Sequence, residues 1–276
     1  MECFSFCIMQ FLQQSLQIYG VAFCLASVRY FLTAIVGLAT IKLLVSKYRD
    51  RVSGRGASNR QIRHEILYSV QSISIFALFW LVALSGVTPH NLLYFSIADY
   101  GWFYWIGSFI GLLLLHDTFV YWLHRLMHHP KLYRHLHQRH HRSIHSTPFA
   151  GYSLDASEAL IHALFFLLIT HVIPLHWSVI LLMIWVSSIA NAIGHLGYEA
   201  MPANWLRTGG RFLNTTTHHD LHHTQGGKHN FGVYFRFWDW AMGTEAPNYA
   251  EAFARSTRPK TLPSGQLQST APLLDS

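Results

Sequence analysis

Four long apolar stretches constrain the fold of this chain more than any other feature of its sequence. Residues 27–46, 67–87 and 101–122 are each close to the roughly 20 residues that an α-helix needs to cross a bilayer. The fourth stretch, 159–194, is longer and contains Pro174, which predicts two helices joined in a hairpin. Only 12% of the residues are charged, against about a quarter in an average soluble domain. The sequence therefore predicts an all-α, multi-pass transmembrane protein with about four or five membrane helices.

The distribution of positive charge predicts how these helices are oriented. The loop 47–64 contains six lysines and arginines, whereas the loop 88–100 contains none. Cytoplasmic loops carry an excess of these residues, so the first loop is predicted to be cytosolic. Segment 123–157 and the chain after residue 194 then share the cytosolic side. Arg29 is expected to extend to the membrane surface. This topology accounts for the net charge of +7, so nucleic acid is not a predicted partner.

Three histidine clusters lie on the predicted cytosolic side. In the first cluster the histidines are four residues apart, and in the other two they are three and four apart, so that on a helix each cluster shares one face. Neutral imidazole is the commonest transition-metal ligand, and a further histidine ends the hairpin. The candidate ligands, cluster by cluster with the hairpin histidine third, are His124 and His128; His137, His140 and His141; His195; and His219, His222 and His223. This set predicts two metal ions in a histidine-rich helical cap.

Other residues near the clusters are candidates for weaker or supporting roles. His218 is a further candidate ligand, because it lies four residues before His222. His135 lies off the shared face and is predicted to be on the surface, and His162, alone on an apolar helix, is interpreted as structural. Ligating imidazoles need their second N–H held in place. The candidates for that role are Asp117, Arg125, Glu158, Asp220 and Asp239.

Ligand type alone leaves the metal open. Imidazole suits zinc, copper, iron or nickel, and no pair of cysteines two residues apart indicates a thiolate zinc site. A nitrogen-rich pair of metals at a membrane face favours redox iron. A transporter that uses intramembrane histidines is disfavoured, because the clustered histidines lie outside the predicted spans. A catalytically silent metal-binding membrane protein remains an alternative.

The residues around the three histidine clusters resemble those of a known family. The segments "HDTFVYWLHRLMHH", "KLYRHLHQRHHRSIHSTPFA" and "LNTTTHHDLHHTQGGKHNFGVYFRFWDWAMGT" resemble the three histidine boxes of the fatty acid hydroxylase and sterol desaturase superfamily, integral-membrane di-iron oxygenases. The resemblance covers about 115–245, and "TPFA", "PLH" at 174–176 and the doubled histidine at 218–219 are most similar to sterol C-5 desaturases. One departure is Asp155 and Ala156, where the family usually has a His-Pro pair, which bears on substrate specificity.

The resemblance implies an O2-dependent oxidoreductase with two non-haem iron ions and with no bound haem, flavin or nicotinamide of its own. Its substrate would be a membrane lipid, with desaturation of a sterol as the leading hypothesis. Hydroxylation of a fatty acyl chain, sphingoid base, ether lipid or carotenoid is the alternative, because both reactions use the same ligands. An external donor of the cytochrome b5 or ferredoxin type would supply electrons. Arg134, Arg139 and Arg142 form a basic surface that suits either an acidic donor or the headgroups of the membrane.

The resemblance also implies a division of the chain. Residues 1–100 would form N-terminal membrane helices, and 101–250 a fatty acid hydroxylase-like domain that contains the three boxes. The segment 251–276 is rich in serine, threonine and proline and is predicted to be disordered. The membrane would be the endoplasmic reticulum in a eukaryote or the inner membrane in a bacterium.

Overall fold

The computed structural model describes residues 2–88 and 90–260, and helices form nearly all of the regular structure in these ranges. Two short strands, β1 (Leu93–Tyr94) and β2 (Leu175–His176), pair in parallel. The α-helices are, in chain order, α1 (Glu2–Thr40), α2 (Asn59–Leu84), α3 (Gly101–Met127), α4 (Pro130–Leu136), α5 (Ala156–Val172), α6 (Trp177–Gly194), α7 (Thr216–Thr224), α8 (Phe237–Ala241) and α9 (Tyr249–Ser256).

Four helical segments are long and apolar enough to cross a membrane. They are Phe6–Val45, in which a π-helical turn extends α1, together with α2, α3 and α6. The helix α5 is apolar but has 17 residues. These findings confirm the predicted helical membrane architecture. The first segment begins at Phe6, some 20 residues before the predicted boundary at residue 27, because residues 6–26 are largely apolar and contain no proline or charged residue.

The predicted hairpin is present, and a proline separates its two helices. Ile173, which follows α5, has extended backbone angles (φ −127°, ψ 130°), as expected for a residue before a proline. Pro174 and β2 then lead into α6, and the pairing of Leu93 with Leu175 fixes this turn against the chain before α3. Glu158 in the first turn of α5 and His195 at the end of α6 both contact the segment 137–140, so the two helices run in opposite directions.

The membrane helices pack around an apolar core and leave an apolar exterior. The helix α1 contacts α2 and α6, α2 contacts α5, and α3 contacts α6. Leu112, Ile180 and Met183 are buried where these helices meet. On the outside, large side chains such as Phe103 (95% exposed) lie open. An exterior of this kind fits lipid rather than water.

The histidine-bearing segments form a cap at one end of the helices. The short helix α4 follows α3, and α7 packs against α6 and α9. The helix α9 covers residues 251–256, which the sequence had assigned to the disordered tail, and Phe253 is 1% exposed there because it packs in an apolar cluster with Tyr249 and Leu221. Residues 261–276, the rest of that predicted tail, lie outside the described residues.

Candidate metal centre

The structure brings all nine candidate ligand histidines together in two adjacent groups. Within each group, one ring nitrogen from every member lies within 4.8 Å of the others. The groups adjoin each other, since the rings of His141 and His223 stack with their centroids 4.5 Å apart. The first group contains His124, His128, His137, His141 and His222, and the second contains His140, His195, His219 and His223. Segments up to 99 residues apart in sequence, from His124 to His223, thus form one candidate metal site.

Helix ends position most of these side chains. His124 lies in the last turn of α3 and His128 caps its C-terminus, while His195 caps the C-terminus of α6. The third cluster lies on α7, which begins at a capping contact between the Thr215 hydroxyl and the backbone N–H of His218. The C-terminal ends of α3 and α6 therefore both contribute histidines to the cap.

The prediction that each cluster shares one helical face is wrong for the second cluster. The helix α4 ends at Leu136, and His137 has non-helical angles (φ −144°, ψ −2°). The backbone N–H of Arg139 donates to Asp155 Oδ2 at 2.9 Å, so this side chain competes with the helical hydrogen-bond ladder. The second cluster therefore turns, and its members enter different groups.

The third cluster is helical, but α7 lies between the two groups. His219 and His223 are four residues apart and face the second group, whereas His222 is rotated by about 100° from His223 and faces the first. One short helix in this way contributes histidines to both groups.

Buried nitrogen lone pairs converge at the centre of the first group. His124 Nδ1 is 2.8 Å from the carbonyl oxygen of Phe231, which can only accept, so Nδ1 of this ring carries the proton. His137 Nδ1 is 2.9 Å from Glu158 Oε1, and metal binding through Nε2 would require the same tautomer. Nε2 of each ring then holds a lone pair that is buried and has no hydrogen-bond partner among the described residues. Buried polar atoms are normally paired, and a metal ion would satisfy both lone pairs.

The second group shows a similar convergence. His195 Nδ1 is 2.7 Å from the carbonyl oxygen of Asn191, which leaves the Nε2 lone pair to face the group. That Nε2 is 3.1 Å from His219 Nε2, which is itself 3.1 Å from His223 Nε2. Nitrogens crowded in this way fit the donor set of a transition-metal ion.

Burial keeps the histidines of the cap neutral. Removal from water lowers the pKa of His128 to about 3 and that of His195 to about 4. Burial, reinforced by neighbouring histidines, holds the pKa values of His140 and His223 well below the ordinary range. Neutral imidazole is the form that binds metals, so the site is ready to bind an ion at neutral pH.

Two of the five candidate supporting residues act on the histidines. The carboxylate of Glu158 accepts the Nδ1–H of His137 directly. Asp239 acts through the backbone: it accepts the N–H groups of Phe231 and Gly232, at 2.9 and 2.7 Å, and the Phe231 carbonyl then accepts from His124. Both contacts fix the orientation of a ring in the first group.

The other three candidates lie elsewhere. Asp117 accepts the backbone N–H of Phe235 at 3.2 Å. Arg125 lies over the ring of Trp122 rather than beside an acid, because α3 turns it toward the exterior. Asp220 is buried on α7, where its Oδ1 has no hydrogen-bond partner among the described residues, and burial raises its pKa to about 7.

His218 lies outside both groups. Its ring is fully buried and packs edge-on against Tyr249, with the centroids 5.1 Å apart. Its Nε2 is 3.7 Å from Asp239 Oδ2. His218 thus faces the carboxylate that supports His124 rather than the centre of either group.

A cavity of about 530 Å³ leads from the histidines into the membrane helices. Its inner end is lined by His124, His137, His140 and His219. On α6 the lining extends from Asn191 back to Trp177, which is 14 residues or about 21 Å away. The outer part is lined by apolar side chains that include Val21, Leu84 and Leu181. The dimensions and lining suit an elongated lipid.

The sequence interpretation missed several polar residues of this cavity. His116, His162 and Arg29 all line it, and His116 Nδ1 is 2.9 Å from the hydroxyl oxygen of Tyr234. Arg29 is 8% exposed and does not extend to the membrane surface as expected, because its side chain is bonded within the protein. Ionisable residues inside apolar stretches are the signal that would have identified them.

Several known proteins with similar sequences are named for reactions on sterols. A Δ7-sterol 5(6)-desaturase of Gibberella zeae is 32% identical over 67% of this chain and 56% of its own length. Lathosterol oxidase of Rattus norvegicus is 32% identical over 67% of this chain and 61% of its own length. Methylsterol monooxygenase 1 of Rattus norvegicus is 30% identical over 54% of this chain and half of its own length. The chain therefore spans less than two thirds of each of these proteins.

No solved structure shows significant similarity to the chain. The family model of the fatty acid hydroxylases matches residues 109–244, a range that begins in α3 and ends after α8. This range contains every histidine of the two groups. Residues 109–244 therefore belong to the fatty acid hydroxylase family.

Proposed function

We propose that this protein is a membrane oxygenase that uses two iron ions, O2 and external electrons to desaturate a lipid, with a sterol as the substrate. The observation that carries the proposal is the position of the two histidine groups at the inner end of a lipid-sized apolar cavity. A bulky membrane lipid reaches a metal centre only through such an apolar path. A metal-binding scaffold without catalysis needs no such cavity.

The proposal assigns each histidine group one ion. His124, His128, His137, His141 and His222 would hold the first, and His140, His195, His219 and His223 the second. Bound iron supplies the redox chemistry with O2 that attacks an unactivated C–H bond. The chain fixes the ligand rings through Glu158, Asp239 and backbone carbonyls, and the cavity holds the lipid beside them. Burial of the cap excludes water from this reaction.

The names of the relatives support a sterol as the substrate. Two of the proteins described above are named for desaturation or oxidation of a sterol, and they align with two thirds of this chain. The cavity, whose aromatic and aliphatic walls come from α1, α2, α3, α5 and α6, has the length for a fused ring system with its side chain. Residues 1–100 would then anchor the enzyme and wall the cavity, while 101–250 would carry the chemistry.

The positive-inside pattern supports a cytosolic cap. The loop that precedes α2 is rich in arginine, and Arg51 from this loop donates to the carbonyl oxygen of Ser146 in the cap at 2.9 Å. The membrane would be the endoplasmic reticulum, or the inner membrane in a bacterium. Arg134 and Arg142 are exposed on the cap and suit an acidic donor of the cytochrome b5 or ferredoxin type, whereas Arg139 is paired with Asp155.

Substitution of one ligand in each group tests the proposal. We expect His140→Ala and His222→Ala each to abolish turnover and to lower the iron content, while the protein still inserts into the membrane. His135→Ala is the matched control, because this histidine is exposed on α4, and it should retain both properties. Sterol profiles of cells with and without the chain, measured by mass spectrometry, identify the product. Full activity of both ligand variants would refute the assignment.

Hydroxylation is a second candidate, favoured by the similarity to a methylsterol monooxygenase. The same histidines serve both reactions, so the position of the C–H bond decides the outcome. An alcohol in place of a new double bond in the sterol profile would select this candidate. A hydroxylated fatty acyl, sphingoid, ether lipid or carotenoid product would move the substrate to another lipid class.

A further inference from the structure

Arg29 is a buried cation in the middle of a membrane helix. It lies on α1 within the segment Phe6–Val45, its side chain is 8% exposed, and it lines the cavity that leads to the histidines. Charged residues at such positions are costly, and they usually face a partner charge, a cavity or a ligand. The Arg29 guanidinium is therefore expected to have a binding partner in the protein or in the cavity.

The protein satisfies only part of this guanidinium. Arg29 Nε donates to the hydroxyl oxygen of Ser188 at 2.9 Å, and Nη2 lies 3.4 Å from the hydroxyl oxygen of Tyr152. Tyr152 and Ser188 also bond to each other at 2.6 Å, so two neutral hydroxyls share one cation. Among the described residues no carboxylate pairs with Arg29, and its Nη1 makes no hydrogen bond.

An unpaired cation in this environment favours an oxygen acceptor. A guanidinium offers five N–H donors in a planar fork, and two are used by the hydroxyls. Burial without a counter-charge is expensive, and an acceptor brought by a ligand lowers that cost. Because Arg29 lines the cavity, an occupant of the cavity can present such an oxygen to it.

The guanidinium lies at a defined depth in the cavity. Ser188, its partner on α6, is seven residues or about 10 Å from His195, a member of the second histidine group. His116, whose Nε2 is buried without a partner among the described residues, lies eight residues or about 12 Å before His124 on α3. Arg29 with Ser188, and His116, thus lie at similar depths in the cavity, between the two histidine groups and the apolar outer part of the cavity.

We propose that Arg29 is a substrate-binding residue, which takes an oxygen acceptor of the lipid and makes it enter with its polar end toward the histidines. Ser188 and Tyr152 hold the guanidinium in place, and the apolar body of the lipid occupies the outer cavity. This role of Arg29 rests on the proposed function in one respect: the lipid that occupies the cavity is taken to be the lipid that is oxidised. The acceptor is a hydroxyl in a sterol or a carboxylate in a fatty acid, and both chemistries suit a guanidinium.

Binding measurements test this proposal without turnover. The purified full-length protein, loaded with iron in detergent micelles, is titrated with two matched pairs of probes: lathosterol with its 3-deoxy analogue, and palmitate with hexadecane. We expect Arg29→Met to weaken binding of at least one oxygenated probe about tenfold to a hundredfold, the effect of a lost charged hydrogen bond. Binding of the probe without oxygen should not change. Arg29→Lys should restore part of the loss.

Controls separate recognition from structure. Lys42→Met removes another cation from the same helical segment, but Lys42 is exposed and lies outside the cavity lining, so its binding should match wild type. Iron content should be unchanged in both variants. Equal weakening of both members of a pair by Arg29→Met, or no change in either, would overturn the proposal. So would a wild-type protein that binds deoxygenated probes as tightly as oxygenated ones.

The outcome for the lipid class is separate. Arg29-dependent binding of palmitate but not lathosterol would support the subsite and count against a sterol substrate. Arg29-dependent binding by a protein that turns over no lipid would support the subsite and count against the proposed enzyme.

Discussion

Glu158 holds His137 through one buried hydrogen bond, and this contact makes a prediction about metal affinity. Glu158→Leu would leave the Nδ1–H of His137 unpaired and free the ring to rotate. We expect metal affinity to fall about tenfold to a hundredfold, as for other partners of ligating histidines. Glu158→Gln keeps an oxygen acceptor and should lose much less. Iron per protein after dialysis against a graded chelator series measures both variants.

An exposed acid on the cap provides the control. Glu251 on α9 is 80% exposed, and its nearest cation, Arg255, is 3.9 Å away, so Glu251→Gln should leave the iron content unchanged. If Glu158→Leu retained iron as well as this control, Glu158 would have no role in holding His137.

Single residues also mark how far the sequence could predict the site. Eight of the nine histidines in the two groups were identified by spacing, because residues on one helical face recur at intervals of three and four, and His195 was identified by its position at the end of the hairpin. Spacing did not predict how the histidines divide between the two groups, because that division depends on where α4 ends and on the contact from Arg139 to Asp155. Arg29 was wrongly predicted to reach the membrane surface, because a cation near the end of an apolar run usually does so.

At the scale of elements, the segment after α7 closes over the first histidine group. Gly226 and Gly227 both have positive φ angles, of 73° and 66°, as a tight turn requires. A Cβ at Gly227 would collide with the ring of His128, whereas a Cβ at Gly226 would meet nothing within 4 Å. The turn therefore passes directly against a candidate ligand at one of its two glycines.

This pair allows a matched test. Gly226→Ala and Gly227→Ala carry a similar backbone cost, about 1 kcal/mol for a left-handed alanine. We expect Gly227→Ala to displace His128 and lower the iron content, and Gly226→Ala to retain iron with a small loss of thermal stability. Metal analysis and thermal unfolding in detergent measure the two effects. Equal iron content in the two variants would contradict contact between this turn and the metal site.

Element types were easier to predict than element boundaries. The hairpin of α5 and α6 followed from one proline in a long apolar run, since a proline inside such a run ends a helix locally. The start of α1 could not be predicted in the same way, because the residues before 27 contain no proline or other helix-breaking residue that would mark a boundary. The turn in the second cluster depends on a tertiary contact, which spacing along the chain does not reveal.

At the scale of the whole molecule, the arrangement separates two environments that oxidation of a lipid requires. The membrane helices have apolar side chains on their outer surface and enclose an apolar cavity. The buried polar groups of the cap lie at the inner end of that cavity. The helices α3 and α6 belong to both parts, because each crosses the apolar region and ends in a histidine of the cap. Their packing therefore sets the distance between the cavity and the candidate ligands.

Acid should release the metal and destabilise the cap together. The folded pKa values of His128 and His195, about 3 and about 4, lie below the ordinary value of 6.5. Between these values the unfolded chain binds more protons than the folded chain, so stability falls as the pH falls. The stability that the neutral histidines contribute is thus present above pH 6.5 and is lost toward pH 4.

Removal of the metal should change this dependence in a defined way. Bound metal stabilises the folded state by mass action, and protons compete for the same Nε2 lone pairs. We expect the iron-loaded protein to unfold at a higher temperature than the chelated protein at pH 7.5, with the gap closing as the pH approaches 5. Thermal unfolding in detergent, with and without chelator across this range, measures the gap. Because each histidine group is assembled from helix ends and loops that are far apart in sequence, identical unfolding of the two samples at pH 7.5 would mean that no metal links those segments.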